Sequence, residues 1–166
     1  VLDLDGDPQT YATAGYAVDR VSGAILRFEA SDGRSFPRNG EIVLEPSEAW
    51  EGSALESVAA SRVMHGAHAG HIALHYAAGG MIGLATSPDG VQFTKHPDRL
   101  LRAEQFGLRG LLAAPSVVTL GSGAHAMFFE LRDADGARIY EARSAHGWAW
   151  KLASLSAVLE PGLSEF

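Results

Sequence analysis

The chain has 166 residues, 46% of them hydrophobic, with 13 Lys and Arg against 20 Asp and Glu and a formal net charge of −7. That length and content suit one folded unit with a sizeable core and exclude a disordered chain, while the net negative charge and scattered cations argue against a nucleic-acid partner. With no cysteine there is neither a disulfide nor a thiolate metal site, an absence that suits oxidising and reducing compartments alike.

In chain order, residues 1–4, 11–18 and 24–29 read as strands, short and β-rich and bounded by Gly or Asp turns. Residues 57–60, 71–77 and 81–86 repeat the pattern, as do 115–120, 124–131 and 138–143. The linkers Asp19-Arg20-Val21-Ser22-Gly23, Ala78-Gly79-Gly80 and Arg132-Asp133-Ala134-Asp135-Gly136 have hairpin lengths and hairpin residues. Residues 100–112 hold the nearest approach to a helical period, interrupted by Gly107 and Gly110, and predict a short helix or a loop. The longest apolar stretch, 110–120, is broken by Pro115 and Ser116 and is too short to cross a bilayer, so no membrane partner is expected. Residues 1–5 lack the basic and apolar regions of a signal peptide.

Three segments align at a shift of 57 residues: Ile25, Ile82 and Ile139 match, as do Gly33, Gly90 and Gly147, and Phe36, Phe93 and Trp150. A period of that size marks a supersecondary unit whose apolar face is buried by its neighbours. The predicted fold is all-β, a β-propeller of about three four-stranded blades over approximately 1–57, 58–114 and 115–166. Three blades do not close a ring, so a homodimer partner or further blades must complete it. The first residue falls close to a blade boundary, which suits an intact three-blade subunit, and a fragment of a five-bladed chain is the other expectation.

Ile82-Gly83-Leu84-Ala85-Thr86-Ser87-Pro88-Asp89-Gly90-Val91-Gln92-Phe93-Thr94-Lys95 resembles the blade signature of the five-bladed propeller glycosidase superfamily, which includes arabinan- and xylan-active hydrolases, fructosidases and mannoside phosphorylases. Ala114-Pro115-Ser116-Val117-Val118, followed by Ala126-Met127-Phe128-Phe129-Glu130-Leu131, is similar to the first two strands of the next blade. The resemblance implies a carbohydrate in the central channel, acted on by paired carboxylates that project from inner strands. Glu56, just before Ser57-Val58, stands where such an acid is expected, with Glu51 nearby, whereas Ala113 and Ala114 hold the corresponding place in the third copy. These two glutamates are the catalytic candidates. The alternative is a non-catalytic or repurposed propeller that binds a small molecule, since one inner-strand acid is fewer than hydrolysis uses.

Other residues suit ligand binding. Arg62 and Arg109 offer forked donors for a carboxylate or sugar hydroxyls, Trp50 lies in an inter-blade connection and can line a mouth, and Glu130 is costly to bury unless it faces the channel or pairs with Arg132 or Arg143. His65, His68, His71 and His75 are dense, His71 and His75 on one face of a strand and His65 and His68 in a Gly- and Ala-rich turn, but without a nearby carboxylate or a recognised ligand spacing they read as loop histidines, and His75 is kept as the one whose strand position faces the channel. Asp3-Leu4-Asp5-Gly6-Asp7 departs from a calcium loop at Pro8 and Ala14 and reads as a polar turn. Gly121-Ser122-Gly123 is a loop between strands rather than a nucleophile elbow. No metal and no cofactor are expected.

Overall fold

The computed structural model describes residues 2–3, 13–32 and 34–160. The described residues form three four-stranded antiparallel sheets. The first contains β1 (Leu2–Asp3), β2 (Thr13–Val18), β3 (Ile25–Ala30) and β4 (Glu41–Leu44). The second contains β5 (Ser57–Arg62), β6 (Ile72–Ala78), β7 (Met81–Ser87) and β8 (Thr94–Lys95). The third contains β9 (Leu111–Thr119), β10 (His125–Asp133), β11 (Gly136–Ser144) and β12 (Lys151–Leu152). Each sheet is a meander in chain order. The first strands sit innermost, β5 approaching β9 and β1 approaching β5, so the sheets are propeller blades on an open arc. Residues 100–112 contribute one short 3-10 turn, Ala103–Phe106. The acidic run from Asp3 to Asp7 lies outside the described residues apart from the backbone of Asp3.

One strand begins earlier than its sequence suggests. The inner strand of the third blade starts at Leu111 rather than Pro115, so Ala113 and Ala114 lie within it. Ala113 pairs with Glu130 and Ser116 with Phe128, which leaves Ala114 and Pro115 together opposite Phe129. Proline cannot donate to the ladder, and the chain accommodates it with a bulge in which Ala114 takes φ 46°.

The middle blade is covered on both sides, which is why β6 reads Ile-Ala-Leu-His-Tyr-Ala-Ala without polar alternation and is buried throughout. Leu74, Tyr76 and Ala78 pack with Ile25, Leu44 and Leu55 of the first repeat and its connection. The opposite face packs on the third blade: Ala73 and Leu84 meet Trp148, and Ile82 joins Leu112, Met127 and Phe129. Full burial of side chains this size stabilises by roughly 1.5–3 kcal/mol each.

The repeat positions have one geometry. Ile25 pairs with Leu44, Ile82 bridges Leu101 and Ile139 bridges Leu159, so a leucine returns to the same isoleucine in every copy. The Ser87 and Ser144 hydroxyls accept from the amides of Gly90 and Gly147 at 2.8 and 2.9 Å. Gly90 takes φ 75°, and a Cβ there would stand 2.7 Å from the Tyr16 hydroxyl, which itself donates to the Gly90 carbonyl at 2.9 Å. Only glycine serves both the turn and that approach of blade two to blade one. Its counterpart Gly33 lies outside the described residues.

Candidate functional site

Three sequence candidates lie near the starts of the inner strands β5 and β9. Glu56 is exposed and precedes β5, its amide donating at 2.8 Å to the carbonyl of Ala77, the residue that pairs with Ser57. Glu130, half-buried on β10 beside Ala113, pairs with Arg132 at 2.6 Å. The Arg132 guanidinium is raised above its usual value by the Glu130 hydrogen bond and charge, to which Glu56 adds a minor contribution. Arg109 is exposed and precedes Gly110, whose backbone lies so close to that of Arg132 that a Cβ would stand 2.5 Å from its carbonyl oxygen. Beside this group the Gly79-Gly80 turn, Met81, Arg102, Glu104 and Leu111 line a shallow cleft of about 200 Å³ between blades two and three.

The remaining candidates are elsewhere. Glu51 is not a second free carboxylate beside Glu56: it is 2% exposed, at the end of a 3-10 turn, Ala49–Glu51. Its oxygens accept from Tyr76 at 2.7 Å, from Lys95 at 2.6 and 2.7 Å, and from the amides of Ser47 and Glu48 at 2.7 and 3.0 Å. Burial alone would raise its pKa, but these donors together outweigh burial and hold it below the usual carboxylate value. Trp50, expected to be free at a mouth, is half-buried and stacks on Tyr76 with ring centroids 5.9 Å apart. Arg62 ends β5 at the far end of the channel and donates to the Gly70 carbonyl at 3.2 Å.

His75, expected to face the channel, points from β6 into the seam with blade three, where it meets the Trp150 edge at 5.5 Å. Burial depresses it to about 4, the Gly147 backbone opposes that shift, and the His125 charge reinforces it. Among the described residues no group of three or more His, Asp or Glu side chains stands positioned to hold a metal ion.

Sequence reasoning missed Lys95 and Arg102. Neither has a local signal, because Lys95 meets Glu51 across a blade seam and Arg102 reaches the Met81 sulfur at 3.4 Å from the connection that follows β8.

No protein-family model matches this sequence. No curated protein matches it. Among solved structures, the chain is similar to one described as the crystal structure of a thermostable family-43 glycoside hydrolase, with TM-score 0.57 and 16% sequence identity over 90% of this chain. The match spans 59% of that hydrolase's length. At this identity the likeness shows the fold alone, a partial propeller.

Proposed function

We propose that this chain is a glycoside hydrolase-like propeller that takes a carbohydrate at the mouth where the inner strands begin. The observation that carries the reading is the Glu130–Arg132 ion pair at 2.6 Å where β9 begins, with the exposed carboxylate Glu56 at the start of the neighbouring inner strand β5. Forked guanidinium donors and carboxylate acceptors are the groups that orient sugar hydroxyls. Glu56 is the exposed, solvent-facing acid of the set and exchanges a proton with the glycosidic oxygen.

Binding without turnover is a second reading, favoured by one feature: Glu130 is already held by Arg132 at 2.6 Å, which leaves Glu56 without a free partner carboxylate among the residues assembled here. The open arc leaves room for completion by a second copy or by further blades, and light scattering over a range of concentrations separates the two.

The test is titration of wild type and Glu56→Gln with arabino-, xylo- and manno-oligosaccharides, following heat of binding and release of reducing ends. Turnover in wild type alone, with binding in both, supports catalysis by Glu56; saturable binding without turnover in either supports the second reading. Absence of binding by every sugar removes both.

A further inference from the structure

The chain has seven histidines, and all seven collect along the seam between blades two and three, His75 midway along β6 and the others towards the end of the blades opposite Glu56. Four come from the β5–β6 hairpin and β6, one follows β8, and two come from blade three. His68 lies 5.0 Å from His71, 5.8 Å from His96 and 5.1 Å from Trp148, centroid to centroid. His65 lies 6.3 Å from His146 and packs against Gly123 in the β9–β10 turn. His75 and His125 lie deepest, each 2% exposed. The seam between blades one and two contains none. It is closed instead by Tyr16, Phe93, Tyr76 and the Glu51–Lys95 pair.

We propose that the seam between blades two and three is an acid-operated joint, in which protonation of the gathered histidines parts the turns of blade three from blade two while blades one and two stay packed. Neutral imidazole packs as an aromatic ring; imidazolium needs solvent or an anion. The structure supplies His75 with neither. Its β-ladder neighbours are Ala59 and Leu84, across the seam it meets the Trp150 edge and the Gly147 backbone, and neither ring nitrogen makes a well-formed hydrogen bond. The charge that acts on it is that of His125.

His125 has Thr119 as its hydrogen-bond partner at 3.3 Å and Ser144 beside it on β11. His65 and His146 act on its charge, and Arg143 and Lys151 line the same cavity, of about 650 Å³. The charges that act on these two rings are those of other histidines, Lys151 lines the cavity, and Arg143 is held by the Glu141 carboxylate at 2.7 Å. Protonation accumulates like charge on both sides of a single seam, and relief comes from separating them.

The experiment uses the full chain with Trp50→Phe, which leaves Trp148 and Trp150 as reporters on this seam. Fluorescence and amide hydrogen exchange are followed from pH 7.5 to 4. The expected result is a reversible fluorescence transition below pH 6.5, with exchange of residues 120–150 accelerating about tenfold or more while residues 13–30 stay protected. His75→Gln and His125→Gln each move the midpoint to lower pH, by about one unit. Should His75→Gln not fold, the exposed pair His65→Gln and His146→Gln reports the same shift. A midpoint that none of these changes moves, simultaneous loss of protection in all blades, or no transition in wild type overturns the proposal.

Discussion

The Lys95 ammonium stands 2.6 and 2.7 Å from the two carboxylate oxygens of Glu51, 44 residues away in sequence, and also donates to the Glu45 carbonyl at 2.8 Å and the Ser47 hydroxyl at 2.9 Å. This pins the connection between blades one and two onto β8. The Glu51 side chain is fully buried and that of Lys95 is 12% exposed, so deleting one partner strands the other in a desolvated site. Lys95→Met is expected to cost about 3 kcal/mol, read as a lowered urea midpoint with an unchanged slope. Glu56→Gln, a substitution at an exposed carboxylate, stays within about 0.5 kcal/mol of wild type. Equal losses in the two variants would show that the clamp assignment is wrong.

Glu51 and His75 give stability a pH dependence in two windows. Glu51 titrates below its usual value in the folded chain, so the unfolded chain takes up its proton first, and the stability Glu51 contributes, complete above about 4.5, is lost as pH falls through the folded value. His75 titrates at about 4 when folded against 6.5 when free, so it too binds its proton first in the unfolded chain, and stability falls from pH 6.5 towards 4 by roughly 3 kcal/mol. Urea unfolding at half-unit pH intervals should show the upper limb flattened in His75→Gln and the lower limb flattened in Glu51→Gln. A single limb that neither substitution alters would refute both assignments.

Gly90 joins a turn to a blade contact. Alanine there meets the Tyr16 hydroxyl and the Ile72 side chain while holding φ 75°. Gly90→Ala should destabilise by about 2 kcal/mol, and adding Tyr16→Phe should recover only part of it, because the hydroxyl clash is relieved while the backbone strain and the Ile72 contact persist. Thermal melting of the single and double variants checks this; near-neutral Gly90→Ala would mean that the turn relaxes freely.

Much of this architecture was legible because its signals are local. Strand positions followed from short apolar runs between Gly and Asp turns, and the blade count followed from isoleucine, glycine and aromatic columns in phase. The start of β9 was not, because Pro115 reads as a strand boundary until the ladder shows Ala114 and Pro115 sharing one partner position. Glu51 resembled a candidate acid for a similar reason. Its occupant Lys95 belongs to another blade, and no local pattern announces a contact across a seam. The histidines divide the same way: four are close in sequence, but His96, His125 and His146 join them only because turns of different blades meet.

The repeated aromatic packs towards the preceding blade, and this fixes which copies are structural. Phe93 packs T-shaped with Tyr16 of blade one, ring centroids 5.8 Å apart, and Trp150 with His75 of blade two, 5.5 Å apart. Phe36 in the first copy has no preceding blade among the described residues and lies over Gly15, 38% exposed. Identical columns therefore predict unequal energetics. Phe93→Ala and Trp150→Ala should each cost about 3 kcal/mol through the cavity they leave, whereas Phe36→Ser should change stability by less than about 0.5 kcal/mol in the isolated chain. If a partner copy or a further blade covers the free face of blade one, that small cost grows to match the other two once the partner is present. Urea unfolding of the three variants at low and high protein concentration measures both. A cost for Phe36→Ser as large as that of Phe93→Ala in dilute monomer would show that the aromatic is held within its own blade rather than by the blade before it.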